Sequence, residues 1–311
     1  MKNSIFLQEC NVKFSSELVI LAGLYNEEPN DDVHNIGIRG FGRYAGLNEE
    51  LRKLFSYTDN LQEAEYLVLP YKFTSLDDLY LHYLENEARK INKPLLAFTI
   101  DDDETVYDLP SNMYLFRSSV NKRMKHLNER AMPAFTADFF QNKYITKGIP
   151  TIGYCGHTLH GRKELLQILE NSPIKTNFII RSGFWAPEID NKYVAKQIFI
   201  KNMEENLFNF CTRGAGNFSY RFYETLMMGR IPIFIDTECE LPFEEQLKGN
   251  ATVLRLKSLD PDSLILLEYK MQEIMNLDPS YLREIQNKNR QFWLNYYSPL
   301  GFCKTLIKAI I

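Results

Sequence analysis

Two arginines, a serine and a glutamate crowd around a glycine-containing turn in Cys211-Thr-Arg-Gly-Ala-Gly-Asn-Phe-Ser-Tyr-Arg-Phe-Tyr-Glu224. The apolar run Leu207 to Cys211 reads as a strand, and the chain then turns through Gly214 and Gly216, where glycine permits close approach to a ligand and positive φ. Asn217 or Ser219 caps the helix that follows. The free N–H groups and dipole at such a helix start suit an anion, for example a diphosphate. Arg213 and Arg221 can add charge-assisted contacts. Glu224 lies about one turn beyond Arg221 on the same face. A carboxylate there repels phosphate but accepts hydrogen bonds from two adjacent hydroxyls, such as those of a ribose. Residue by residue, the same stretch also suits an ordinary strand–turn–helix unit in which these groups cap and pack.

A second anion-binding element falls at Gly153 to Arg162. There a strand ends in Tyr154-Cys155-Gly156, and a loop with His157 and His160 leads to Arg162 at a helix start. Gly156 and Arg162 would then face the same ligand, the other reading of Arg162 being a solvated surface arginine. Arg181 ends the next strand and points to the same edge if the sheet is parallel. Phe184 or Trp185 beyond it packs either against a base or in the core. His157 and His160 have no third ligand nearby, so they read as polar loop residues and no metal site is expected.

Transfer to a hydroxyl with inversion needs a general base across the cleft from the donor. Asp101, Asp102 and Asp103 directly follow the apolar run Leu95 to Ile100, and ligands of open α/β sheets bind beyond such strand ends. Clustered carboxylates also raise one another's pKa, which favours a base near neutrality. A solvated acidic loop is the alternative. The second set of candidates is Glu27, Glu28, Asp31, Asp32 and His34, with Arg39 and Arg43 able to contact either substrate.

The elements that must position these groups alternate along the chain. Glu17 to Leu21, Tyr66 to Leu69 and Leu95 to Ile100 read as buried strands, with a helix over Leu76 to Ile91. Pro110, Pro133 and Pro150 punctuate a less regular stretch that holds a short basic helix over Lys122 to Arg130. The rhythm restarts with strands at Thr151 to Cys155, Asn177 to Arg181, Leu207 to Cys211, Ile231 to Asp236 and Thr252 to Leu256. Helices are expected over Arg162 to Asn171, Tyr193 to Glu205, Phe218 to Met228 and within Pro279 to Ile311. This pattern predicts an α/β fold with parallel sheets. It divides into an acceptor-side unit over 1–140, a nucleotide-sugar-binding unit over 141–290, and a C-terminal helix over 291–311 that packs back on the first. The boundary lies between Ala134 and Pro150.

Bulk properties narrow the function classes. A formal net charge of −4 lacks the basic excess of a duplex-binding protein, so no nucleic-acid partner is expected. Five widely spaced cysteines without a Cys-x-x-Cys pair read as reduced, buried thiols of a cytoplasmic protein. No apolar run approaches the ~20 residues of a membrane span, and the first ten residues do not read as a signal peptide.

The whole stretch from Cys211 to Phe243 resembles the exostosin-like glycosyltransferases, glycosyltransferase family 47 and its relatives. Those proteins carry a Cys-x-Arg-Gly turn, Ser-x-Arg-Phe-Tyr-Glu, a helix ending in Gly, Ile-Pro with three apolar residues, and Leu-Pro-Phe. Here these are Cys211 to Gly214, Ser219 to Glu224, Gly229, Ile231 to Ile235, and Leu241-Pro242-Phe243. Looser echoes are Glu63-Ala64-Glu65 with the apolar run to Pro70, and Pro94 to Asp101. The resemblance implies a GT-B fold of two Rossmann-like domains facing a cleft. It also implies a nucleoside diphosphate sugar, UDP-linked, as donor, a glycan hydroxyl as acceptor, and no required metal or further cofactor. By the same resemblance Arg213 and Ser219 face the diphosphate and Glu224 the ribose. The first half lacks the long stem and cysteine pattern of animal exostosins, so the acceptor side does not carry over. A non-catalytic nucleotide- or glycan-binding module on the same scaffold is the alternative.

Overall fold

A computed structural model of the chain describes residues 3–6, 18–24, 44, 46–184 and 186–306. Among them are two all-parallel sheets. The first has six strands, β1 (Asn3–Phe6), β2 (Phe55–Thr58), β3 (Tyr66–Val68), β4 (Leu95–Thr99), β5 (Met113–Arg117) and β6 (Glu129–Ala131), in the order β2-β1-β3-β4-β5-β6. The second has five strands, β7 (Thr151–His157), β8 (Lys175–Arg181), β9 (Phe208–Cys211), β10 (Ile231–Ile235) and β11 (Leu254–Leu256), in the order β11-β10-β9-β7-β8. Both follow the doubly wound pattern in which the strand order reverses beside the first strand, leaving a crevice at that point. The α/β class with two Rossmann-like units is therefore the architecture of the chain. All five residues of β4 and of β10 are buried, as strands covered on both faces must be.

The helices are α1 (Leu47–Leu54), α2 (Leu79–Lys90), α3 (Arg162–Glu170), α4 (Lys192–Glu205), α5 (Tyr220–Met227), α6 (Glu244–Asn250), α7 (Pro261–Met275), α8 (Pro279–Phe292) and α9 (Pro299–Leu306). Their starts carry the expected chemistry. The side chains of Asp78, Asn191, Asp260 and Asp278 accept first-turn N–H groups, and Pro261 and Pro279 open α7 and α8.

The chain between β6 and β7 has no helix or strand and crosses from one sheet to the other. Arg230 fastens this crossing, donating to the carbonyls of Lys143, Met203, Met228 and Glu204 and to Gln286 Oε1. The last helix returns to the first unit, where Phe302, Cys303 and Leu306 share a core with Ile5, Phe98, Phe116 and Phe135.

Two expected elements differ. Residues 19–21 of the strand expected over Glu17 to Leu21 lie instead in a 3-10 helix (Val19–Leu24), whose Val19 to Ala22 pack in the first core. A short apolar run does not by itself separate a strand from a buried helical turn. The basic helix expected at 122–130 is absent. Its cations are drawn across to the second unit, where Lys122 pairs with Asp236 at 3.0 Å, Arg123 with Glu238 at 2.8 Å and Lys125 with Glu240 at 2.5 Å. An antiparallel bridge between Asn121 and Cys239 holds the same segment. The second candidate set (Glu27, Glu28, Asp31, Asp32, His34, Arg39 and Arg43) and Trp185 lie outside the described residues.

Candidate functional site

The C-terminal edges of the two sheets meet around a cavity of about 420 Å³. It lies at the reversal point of the second sheet, between the end of β7 (residues 154–157) and the turn leaving β9 (residues 212–219). That is where an open parallel sheet binds its ligand. The crossing segment, through Phe135, Thr136, Ala137 and Phe139, lines the opposite wall.

The sequence candidates Gly156, Arg162, Arg181, Ser219, Arg221 and Glu224 all line this one cavity, as does Asp102. Ser219 is the N-cap of α5, but its hydroxyl caps nothing, so the first-turn N–H groups lack the side-chain acceptor that usually serves them. Arg221, in that first turn, lies between the rings of Tyr154 (5.2 Å) and Phe199 (4.7 Å). Its Nη2 donates to the Cys155 carbonyl, while Nε and Nη1 are buried without a hydrogen-bond partner. Glu224 approaches Nε only to 3.9 Å.

Arg162 reaches the same space from the start of α3. Its Nε donates to the Arg213 carbonyl at 3.2 Å and its Nη1 lies 3.0 Å from His157 Nε2. Burial and the neighbouring Arg221 charge lower its pKa, with Tyr154 offsetting part. The His157 ring is pushed down to about 4, first by burial and then by Arg162, His160 and Arg221. It is neutral at ordinary pH. A neutral imidazole has one lone pair, yet both Arg162 Nη1 and the Leu159 N–H (3.2 Å from Nδ1) approach it. The ring satisfies only one of these donors. The Phe184 ring lies tilted against His157, with ring centres 4.2 Å apart, and among the described residues no cluster of three metal-ligating side chains is present.

Arg181 is at the edge of the cavity, with Nη1 on Glu188 at 3.3 Å and Nη2 buried without a partner. Arg213 departs from its expected place. It is absent from the cavity wall, and its Nη2 is ion-paired with Glu104 of the first unit. The glycine turn also departs from expectation, since neither Gly214 nor Gly216 takes positive φ. A Cβ on Gly216 would come within 2.7 Å of Asp102 Cα, so the close approach there is to the acidic loop of the other unit.

The three aspartates each face different partners. Asp101 accepts from Thr99 Oγ1 at 2.6 Å and lies 3.8 Å from Lys72. Asp103 accepts from Thr105 and Tyr107 and faces Arg117. Burial would raise its pKa, but those hydrogen bonds and the Arg117 charge outweigh it, so its carboxyl lies below the usual range. The expected mutual raising of pKa is therefore overturned at Asp103, because each carboxylate has its own donors. Asp102 alone of the three lines the cavity, with Oδ1 on the Gly216 N–H at 2.8 Å.

Several lining residues escaped the sequence reading. On α4, Lys192, Lys196 and Phe199 face the cavity, and their spacing of four and three was the available signal. Lys196 Nζ lies 4.1 Å from the Phe139 ring centre. Glu104 adjoined the aspartates in sequence, but its partner is more than a hundred residues away.

No protein-family model matches the chain, and no curated protein matches it. The exostosin resemblance accordingly rests on the motif at residues 211–243. Among solved structures, the chain is similar to S. aureus TarM, determined with fondaparinux, alpha-GlcNAc-glycerol and UDP. Identity is 13% over 82% of this chain and 51% of that one, with a TM-score of 0.38. The pneumococcal O-GlcNAc transferase GtfA, in complex with UDP and GlcNAc, is 9% identical over 79% of this chain and 56% of that one, at a TM-score of 0.35. The chain spans about half the length of these proteins. At such scores the likeness transfers neither ligand nor activity.

Proposed function

We propose that the chain is an exostosin-like glycosyltransferase that moves a sugar from a nucleoside diphosphate donor, UDP, to a glycan hydroxyl, with no required metal. The observation that carries this reading is the convergence of Arg162, Arg221, the uncapped start of α5 and Glu224 in one inter-unit cavity. Negative charge develops on the diphosphate as it leaves. Donors already oriented toward it stabilise that charge without reorganising. Arg221 offers two buried, unused N–H-bearing nitrogens, Arg162 has a donor beyond what His157 can accept, and Ser219 adds its free hydroxyl. Glu224 takes the ribose hydroxyls. At Gly156 a Cβ would lie 3.1 Å from the Tyr154 hydroxyl and 3.5 Å from Arg221 Nη2, so glycine leaves this wall open to the ligand. Arg181 and Phe184 lie toward the base. Asp102, reaching in from the first unit, is the group assigned to take the acceptor proton.

A thermal-shift screen of nucleoside diphosphates tests the reading, since a ligand of the folded state raises its melting temperature. UDP is expected to give the largest shift, undiminished by EDTA. No shift with any nucleotide would remove the reading. The ion pair that takes Arg213 out of the cavity favours the alternative, a non-catalytic binding module. Binding without turnover of any donor in a hydrolysis panel would select it.

A further inference from the structure

The acidic loop after β4 grips the turn that opens α5. Asp102 Oδ1 accepts the Gly216 N–H at 2.8 Å, Glu104 is ion-paired with Arg213, and the Asn217 N–H donates to Ser119 Oγ at 2.9 Å. Gly216 has no room for a Cβ while this loop is seated. The donors occupied in this way, backbone N–H groups before a helix and a guanidinium, are those that bind phosphate oxygens. Two carboxylates of one unit thus sit on anion-binding groups of the other.

We propose that the loop at residues 101–104 is an internal stand-in for the donor's diphosphate, with Glu104 as the positioning residue that keeps Arg213 out of the cavity until a nucleotide sugar displaces it. The inference rests on the donor-binding reading above. Arg213 Nη2 is already shared between Glu104 and the Ala215 carbonyl, and a diphosphate brought to the same guanidinium would be repelled by Glu104 at contact range. The pair is also weak enough to open. The Arg213 and Glu104 side chains are 31% and 35% exposed, and water and salt screen such pairs. Displacing the loop would also release Asp102 Oδ1 from the Gly216 N–H.

Calorimetric titration of UDP into the wild-type chain, Glu104→Gln and Glu104→Asp, at low and high salt, tests this. Glu104→Gln should bind UDP about threefold more tightly at low salt. The gap should narrow at high salt, and Glu104→Asp should return toward wild type. A merely structural role predicts neither the salt dependence nor the rescue. An unchanged or weakened UDP affinity in Glu104→Gln, with UDP bound by the wild type, overturns the stand-in alone. Failure of every variant and the wild type to bind UDP removes the donor-binding reading, and this inference with it.

Discussion

His157 Nε2 and Arg162 Nη1 are 3.0 Å apart, a neutral ring against a guanidinium on the wall of the cavity. The ring's pKa of about 4 lies below the ordinary ~6.5 of histidine. The sign of its effect on stability follows from proton uptake. Between about pH 6.5 and 4 the unfolded chain binds a proton that the folded chain refuses, so stability falls as pH drops through that window. Above it the contribution is constant. Thermal melts from pH 7.5 to 4.5 should show this loss, and His157→Gln should flatten part of it. An unchanged pH slope in that variant would contradict the buried, neutral state of the ring.

Glu224→Ala should weaken UDP binding by roughly tenfold or more, the scale of losing hydrogen bonds to a charged acceptor. The melting temperature without ligand should hardly move, because the side chain makes one loose contact, 3.9 Å from Arg221 Nε. Calorimetry measures the first quantity and a thermal melt the second. Retained UDP affinity would end the ribose assignment.

Arg221 was legible as a cavity residue because its helix, its turn and Glu224 are neighbours in sequence. The strands were legible for a similar reason, since runs such as 95–99 and 231–235 are continuous and apolar. What local pattern did not reveal was set by distant partners. Arg213 and Gly216 looked like ligand groups, and both are engaged by residues 102–104 of the other unit. Lys122 to Lys125 looked helical until acids at 236–240 claimed their charges. In α6 and α7 charged residues and exposed apolar ones such as Ile265, Leu266 and Tyr269 blur the helical period in the sequence.

Arg221→Lys separates charge from shape. The planar guanidinium fits between Tyr154 and Phe199 and presents several donors at once, whereas an ammonium keeps the charge and loses the fork. Donor affinity should fall about tenfold, with a smaller loss for Lys than for Ala. Equal affinities in wild type and Arg221→Lys would mean that only a point charge matters there.

Arg230 is expected to matter for stability rather than for UDP binding. It is 1% exposed, burial lowers its pKa to about 10, and it donates to four carbonyls and Gln286 that join the crossing segment to the second unit. Arg230→Met should strand those acceptors at a cost of roughly 3 kcal/mol, seen as a lower urea midpoint. UDP affinity of the protein that remains folded should be retained. A loss of affinity without a loss of stability would reverse the assignment.

Asp102→Asn tests the base directly. The amide keeps an oxygen for the Gly216 N–H, so the loop stays seated, but it cannot accept a proton. Transfer to an acceptor should fall by about 10²–10⁴-fold, the usual weight of general base catalysis, while donor binding persists. Asp103→Asn should act differently. That carboxylate is held by Thr105, Tyr107 and Arg117 and lies below the usual pKa range, so it is a weak base already committed to its donors. Its replacement should lower the melting temperature and leave the catalytic rate of the folded protein within a few-fold of wild type. If instead Asp102→Asn transfers sugar at the wild-type rate, the proton goes elsewhere, and a retaining path that needs no such base becomes the reading to test.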